Sequence, residues 1–241
     1  MIRDIFRVFI SSAFVQVLGA VRSFLLPVFL VPEQLGIWNL LNTIVGYGAN
    51  SHIGLLHGMN KSIPRITADG DLVFRQSLKD SVFWINILLA LLFSIAIAFF
   101  IFLKLSYSWQ KAALVGAVIV IQSVYIYYLC LMRADSKFKA FSAISTFFSV
   151  ILTAMVVGLV ILVDDKVVGG LIGLLIAQLA VVVVLVKMTN YKFNFTVNWA
   201  DIRHALSLGF PVLMIGLVDM VLLTLDRWLI VWRFTGKDLG I

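Results

Sequence analysis

Long apolar runs recur along this sequence, and short stretches of charged or turn-forming residues interrupt them. A helix needs about 20 predominantly apolar residues to cross the ~30 Å hydrocarbon core of a bilayer. Seven runs meet this length, and they cover residues 8–30, 35–56, 82–103, 112–131, 141–163, 167–186 and 210–232. The sequence therefore predicts an all-α integral membrane protein, a transporter-like bundle with about seven transmembrane helices.

The composition also favours a lipid-exposed fold over a soluble one. Of the 241 residues, 62% are hydrophobic and 13% are charged, whereas soluble domains carry about 25% charged residues. The single cysteine, Cys130, lies inside an apolar run, which excludes a disulfide framework and a cysteine-based zinc site. The histidines are not at metal-ligand spacing, and the sequence has no GxxxxGK phosphate-binding pattern. We therefore expect no cofactor, no metal, no catalytic residues and no enzymatic activity.

The basic residues favour one side of the membrane, since twelve Lys and Arg residues lie on the side of the amino terminus and five on the other. The larger group is Arg3, Arg7, Lys61, Arg65, Arg75, Lys79, Arg133, Lys137, Lys139, Lys187, Lys192 and Arg203. The smaller group is Lys104, Lys111, Lys166, Arg233 and Lys237. Because cytoplasmic loops carry an excess of Lys and Arg, the amino terminus is predicted to be cytoplasmic. The basic residues occur in short clusters rather than in one patch, which argues against nucleic-acid binding.

The longest connection between predicted helices covers residues 57–81. It contains Pro64 and the turn signal Asp69-Gly70-Asp71, with basic residues on both flanks. Proline and the Asp-Gly pair favour turns, so we interpret this segment as a cytoplasmic elbow.

A second polar connection divides the chain into two predicted lobes. We expect residues 1–188 to form a first lobe of six helices, residues 189–208 a cytoplasmic linker, and residues 209–241 the truncated start of a second lobe. Asn198 and Asp201 in the linker resemble the start of a short amphipathic helix. Two roles fit that helix: it anchors the chain in the headgroup region, or it joins the two lobes.

A weak internal repeat supports the two-lobe interpretation. Residues 21–37 and 226–241 both place an arginine in a helix, followed by a short polar loop and Leu-Gly-Ile. Transporters are commonly built from internal repeats, with binding sites where the repeats meet. In the first copy Leu-Gly-Ile opens the second predicted helix. We therefore expect the chain to be an amino-terminal fragment that stops at the start of an eighth helix.

Four stretches carry a resemblance to a known family. They are Leu18-Gly19-x-x-Arg22, Leu35-Gly36-Ile37-Trp38-Asn39, the segment GLLHGMNKSIP at residues 54–64, and Leu225-Asp226-Arg227. In this order they resemble the O-antigen and polysaccharide flippases of the multidrug/oligosaccharidyl-lipid/polysaccharide (MOP) exporter superfamily, over the whole chain. The resemblance implies two helical lobes around a central cavity, of which this chain holds the first lobe and one further helix.

The resemblance also implies a function. Flippases of this kind move an undecaprenyl-pyrophosphate-linked oligosaccharide, an O-antigen or other surface polysaccharide unit, from the cytoplasmic to the outer leaflet by alternating access. It implies a multi-pass protein of the bacterial inner membrane that contacts membrane lipid, with polysaccharide polymerase or ligase machinery as a further candidate partner. Several relatives carry an acidic residue just before the glycines of the second helix. Asn50, Ser51 and His52 stand at that position here, so an ion-coupling role is not carried over.

Two alternative functions remain open at this point. A multidrug cation exporter of the same superfamily would use acidic residues, and Asp219 and Asp226 are its support. A membrane polysaccharide polymerase or ligase would ordinarily present a large outer loop with catalytic residues, and the outer loops predicted here are short.

Arg22 is the first candidate for a cavity-lining residue, because it falls inside a predicted membrane span. An arginine at the centre of a bilayer costs roughly 2.5–3.5 kcal/mol on insertion scales, so it normally faces a cavity or a partner. The pyrophosphate implied by the resemblance suits the planar donor fork of a guanidinium. The alternatives are an ion pair with Asp219 or Asp226, or snorkelling of the side chain to an interface.

The second predicted helix carries a polar stripe, formed by Asn39, Asn42 and Asn50 together with Thr43 and Gly46. Residues three or four positions apart lie on one face of a helix, so this face is not expected to contact lipid. The amides either bind sugar hydroxyls in a wet cavity or hydrogen-bond to neighbouring helices.

The seventh predicted helix carries the last three candidates, Asp219, Asp226 and Arg227. The two aspartates are seven residues apart and share a face, about 10 Å apart along the axis. They either exchange a proton during transport or pair with an arginine of the first lobe. Arg227 lies nearer the outer end, where its side chain also has the option of snorkelling.

Overall fold

The computed structural model describes residues 2–105, 107–189, 191 and 193–233; the side chains of residues 2–5, 226, 227 and 230–233 are outside this description. The described residues form eight α-helices and no strand. In chain order they are α1 (Ile2–Phe29), α2 (Pro32–Gly48), α3 (Leu55–Asp69), α4 (Leu72–Lys104), α5 (Trp109–Ala134), α6 (Phe138–Leu162), α7 (Lys166–Thr189) and α8 (Trp199–Arg233).

Within the described part of the chain, six helices are long and apolar enough to cross a membrane. They are α1, α4, α5, α6, α7 and α8. This arrangement confirms the predicted all-α membrane fold. The count differs by one because the run at residues 35–56, predicted as one continuous helix, is divided between α2 and α3.

The break between α2 and α3 lies at residues 49–54 and corrects the predicted helix. Ile53 and Gly54 have positive φ angles of 46° and 95°, which are incompatible with a right-handed helix. Gly54 tolerates this conformation because it has no Cβ atom. The hydrophobic pattern of the run does not report this local backbone geometry, and it therefore predicted a helix that is too long.

The predicted elbow at residues 57–81 is also mostly helical. Only Gly70 and Asp71 separate α3 from α4. Gly70 ends α3 in a left-handed conformation with φ 78°, and the Asp71 side chain accepts a hydrogen bond of 2.9 Å from the amide of Phe74. The turn signal was therefore correctly located, but these two caps shorten the connection to a single tight turn.

The short amphipathic helix predicted in the linker is the first part of α8. This helix is continuous from Trp199 to Arg233, and Pro211 lies inside it. Asp201 and Ile202 are buried against other helices rather than facing a membrane surface. The position of the boundary between the two lobes stays a prediction.

Two apolar clusters hold the bundle together. One joins α3, α4, α5, α6 and α7 to the first turns of α8, and the other joins α1, α2, α4, α5, α6 and α7. Gly169 and Gly173 allow α7 to approach α6: a Cβ atom at Gly173 would lie 2.6 Å from the carbonyl oxygen of Met155. Outside these clusters, α1 packs mainly on α6 and α8 mainly on α3.

Candidate functional site

The end of α2 meets α8 through a small set of polar and aromatic contacts. The hydroxyl of Tyr47 lies 2.7 Å from the hydroxyl of Thr224, and its ring lies edge-on to Trp228 with centroids 6.0 Å apart. The amide nitrogen of Asn50 lies 3.6 Å from the sulfur of Met220. Tyr47 near the end of α2 and Asn50 just after it are therefore turned toward the helix that carries Asp219.

The three asparagines of the predicted polar stripe have different surroundings. Asn50 is half-buried, and its amide also reaches the carbonyl of Gly46 at 3.4 Å. Asn39 is half-buried and accepts a 2.8 Å hydrogen bond from the Thr43 hydroxyl on its backbone carbonyl. Asn42 is exposed. The structure thus brings Asn50 against α8 and leaves the other two amides away from that contact; their sugar-binding role stays a prediction.

Arg22 is half-buried on α1. Among the described residues its guanidinium forms no hydrogen bond and no ion pair. Asp219 is exposed on α8, and the predicted alternative of an ion pair between Asp219 and Arg22 is not formed. Asp226 and Arg227 lie in α8, but their side chains are outside the described residues.

Three glycines bring α3 and α8 together backbone to backbone. A Cβ atom at Gly58 would lie 1.9 Å from the carbonyl oxygen of Ala205, and one at Gly209 would lie 1.9 Å from the carbonyl oxygen of Gly54. The contact order, Gly54 with Gly209 and Gly58 with Ala205, shows that the two helices are antiparallel. The first turns of α8 therefore lie beside the carboxyl-terminal turns of α3.

A pocket of about 660 Å³ opens where these two helices meet the start of α4. Its lining contains charged, hydroxyl and aromatic groups: Lys61, Ser62, Arg65, Ile66, Asp69, Asp71, Phe74, His204 and Leu208. The hydroxyl of Ser62 lies 3.2 Å from Nε2 of His204, whose ring lies edge-on to Phe74. The sequence did not indicate this pocket, although Lys61 and Arg65 are four residues apart and thus share a helix face.

The sequence also did not indicate a polar network at the end of α5, around Asp135. Asp135, which follows α5, accepts hydrogen bonds from Arg75 at 2.8 Å and from Lys79 at 3.0 Å, both on α4. Lys79 is only 4% exposed. Burial by itself would raise the pKa of Asp135, but the two cations outweigh this effect and hold the pKa below its usual value.

The same network fastens the segment between α7 and α8 to α4. Asp80, which is 1% exposed, accepts hydrogen bonds from Gln76, from the Tyr191 hydroxyl at 3.3 Å and from the Asn194 amide at 3.4 Å. Burial and the nearby charge of Asp80 raise the pKa of Tyr191 well above its usual value. Asp201, at the start of α8, accepts a short hydrogen bond from Ser77. The charged residues at 75–80 are the feature of the sequence that could have indicated this network, but they were assigned to the predicted cytoplasmic elbow.

A family model described as "Polysaccharide biosynthesis protein" matches residues 29–241 of the chain. The chain belongs to this family. No curated protein matches it. Among solved structures, it is similar to a MOP superfamily transporter from Pyrococcus furiosus, with a TM-score of 0.67 and 10% sequence identity. The similarity covers 88% of this chain and 52% of that transporter, so the chain spans about half of its length.

These findings confirm the resemblance proposed from the sequence. The family match assigns the chain to polysaccharide biosynthesis, and the structural similarity assigns it the fold of MOP transporters. This polysaccharide biosynthesis protein is a multi-pass membrane protein with the helical architecture of a transporter.

Proposed function

We propose that this protein takes part in flipping an undecaprenyl-pyrophosphate-linked oligosaccharide, such as an O-antigen unit for lipopolysaccharide, across the bacterial cytoplasmic membrane. The family match and the MOP transporter fold support a transport function in polysaccharide biosynthesis. In this proposal the amino terminus is cytoplasmic, the protein is not an enzyme, and the saccharide is later used by polymerase or ligase machinery.

The chemistry of such a substrate sets the task of the protein. Pyrophosphate and sugar hydroxyls cannot enter hydrocarbon without losing their hydrogen bonds to water, which is energetically costly. A polar crevice between two lobes replaces those hydrogen bonds while the polyprenyl tail stays in the bilayer. Alternating access requires two packings of the lobes with similar free energies, so that substrate binding shifts the balance between them.

At the level of single residues, the proposal rests on the surroundings of Arg22. Its guanidinium is half-buried within the first membrane span and has no hydrogen-bond or ion-pair partner among the described residues. A charged group at this depth requires a compensating partner, and a pyrophosphate oxygen offers one. The proposed contacts for sugar hydroxyls are the half-buried amides of Asn39 on α2 and of Asn50 just after α2, together with the exposed amide of Asn42 in the assembled cavity.

Leaflet exchange of a fluorescent undecaprenyl-pyrophosphate glycan in proteoliposomes tests this function. We expect Arg22→Gln to slow exchange at least tenfold, the effect of losing about 1.4 kcal/mol of anion binding, while Arg22→Lys retains part of the rate. Lys187→Gln, which removes a cation from the end of α7, serves as the matched control. Parental exchange by Arg22→Gln would contradict the anion site. Export of a lipophilic cation without glycan exchange would contradict the flippase function and support the multidrug alternative.

A further inference from the structure

The pocket between α3 and α8 has the size and lining of a ligand site. Its volume of about 660 Å³ lies within the ~300–1,000 Å³ typical of small-molecule sites. The two helices on its sides are held at fixed spacing by the backbone contacts at Gly54, Gly58 and Gly209. The α3–α4 turn closes its end, with Asp71 already engaged as the cap of α4. The shape of the pocket thus depends on well-packed backbone, although Lys61, Arg65 and Asp69 are exposed.

The charged residues along α3 are ordered by sign. Lys61, Arg65 and Asp69 succeed one another at intervals of four residues and all line the pocket. Eight residues of helix span about 12 Å, so Lys61 and Asp69 lie at opposite ends of one wall, with Arg65 midway between them. Because α3 leaves the bundle toward the predicted cytoplasmic side, the two cations lie nearer the membrane and the carboxylate lies nearer the cytoplasm.

The rest of the lining, together with Ser62 and Asp69, combines aromatic and hydrogen-bonding groups. Phe74 and His204 meet edge-on with ring centroids 5.8 Å apart, and His204 contacts the hydroxyl of Ser62. Aromatic rings offer flat apolar surface, while the imidazole, the hydroxyl and the carboxylate of Asp69 offer donors and acceptors. A sugar ring has the matching character, since its C–H face is apolar and its edge carries hydroxyls.

We propose that this pocket binds the glycosyl-phosphate head of the lipid-linked substrate at the cytoplasmic surface, before the substrate reaches the transmembrane cavity. Lys61 and Arg65 hold the phosphate near the membrane, and the sugar lies between Phe74, His204 and Asp69. The order of charges matches a polyprenyl-linked saccharide, whose phosphate is closest to the lipid. This inference rests on the proposed function but concerns a site separate from Arg22, which lies on α1.

Binding of glucose 1-phosphate to the purified protein in phosphatidylcholine nanodiscs, followed by saturation-transfer NMR, tests the site without requiring transport. We expect signals from the sugar ring protons and an affinity about tenfold lower for the Lys61→Gln/Arg65→Gln variant. The matched control, Lys137→Gln/Lys139→Gln, removes the same charge from exposed positions at the start of α6 and is expected to bind normally. Asp69→Asn is expected to weaken binding of glucose 1-phosphate more than that of inorganic phosphate.

Three results would overturn the site. One is equal loss of affinity in both double variants, which indicates a general electrostatic effect. The second is displacement of the ligand when phosphatidylglycerol is added to the nanodisc, which indicates an anionic lipid headgroup. The third is equally tight binding of inorganic phosphate and glucose 1-phosphate, which leaves the sugar unrecognised. Arg22→Gln separates the two proposals: we expect it to bind glucose 1-phosphate normally and to fail in glycan exchange. Pocket binding without any glycan exchange by the parental protein would refute the proposed function alone.

Discussion

At the scale of single residues, glycine decides how closely α3 and α8 approach. Gly58 faces the carbonyl of Ala205, and Gly209 faces the carbonyl of Gly54, each at a distance that leaves no room for a side chain. The neighbouring atoms belong to the backbone, which cannot move aside as a flexible side chain can. By contrast, an added Cβ atom at Gly158 on α6 would meet no atom within 4 Å.

These surroundings predict that a Gly→Ala substitution has different effects at Gly58 and at Gly158. We expect Gly58→Ala to lower the stability of the purified protein by about 1–3 kcal/mol, because the new methyl group forces the two helices apart. Gly158→Ala is expected to leave stability unchanged or slightly raised, because alanine favours helix and the site is open. The thermal unfolding midpoint in detergent measures both effects. Equal midpoints for the two variants would contradict the close contact between α3 and α8.

At the scale of helices, the charged residues near the start of α4, which precede its apolar part, hold other segments of the chain against this helix. Arg75 and Lys79 bind Asp135 at the end of α5, and Asp80 binds the segment that leads to α8. A buried cation without its partner is strongly destabilising, so Lys79 depends on Asp135. Three parts of the chain that are distant in sequence are joined at this point.

The lowered pKa of Asp135 predicts a pH-dependent contribution to stability. A carboxylate whose folded-state pKa lies below its unfolded value of 3.8 stabilises the fold fully above pH 3.8 and loses that effect as the pH falls through the folded-state pKa. We expect Asp135→Asn to destabilise the protein by about 2 kcal/mol at neutral pH. The difference from the parental protein is expected to shrink as the pH falls below 3.8.

Unfolding midpoints measured across this pH range check the prediction. Asp164→Asn, at an exposed aspartate in the α6–α7 turn, is the matched control and is expected to show a small effect at every pH. A constant difference between Asp135→Asn and the parental protein at all pH values would refute a titrating ion pair.

At the scale of the whole molecule, the helix order assigns the connections to alternating sides. Helices α5 and α6 each have the length and hydropathy of a single membrane span. The α5–α6 turn at Ser136 and the α6–α7 turn at Asp164 must therefore lie on opposite sides of the membrane. The basic residues predict that Ser136 lies in the cytoplasm, together with the pocket between α3 and α8 and the network around Asp135.

Cysteine accessibility tests this orientation. In a Cys130→Ala background, which removes the single native cysteine, we introduce Ser136→Cys or Asp164→Cys, both at exposed positions. In intact spheroplasts, a membrane-impermeant thiol reagent is expected to label position 164 but to label position 136 only after lysis. The reverse pattern would place Ser136 outside and overturn the predicted orientation. Labelling of both positions before lysis would contradict a span at α6.

Several features of this protein follow from its sequence alone. The apolar runs determine a helical membrane protein, because the need for internally satisfied backbone hydrogen bonds in lipid leaves few alternatives and the length of a span is a local property. The Asp69-Gly70-Asp71 turn was also evident locally, from residues that favour a tight turn.

The tertiary structure decided which helices meet and which polar groups become neighbours. The pocket of Lys61 with His204 and the attachment of Asp80 to Tyr191 depend on contacts between residues distant in sequence. The break at Ile53 and Gly54 adjoins such a contact, because Gly54 lies against Gly209. Hydrophobic periodicity indicates that a helix face is buried, but it does not specify the partner that covers it. Which helix covers a buried face depends on how whole surfaces pack in three dimensions. In this chain, that packing places residues of the predicted cytoplasmic elbow around a candidate binding pocket.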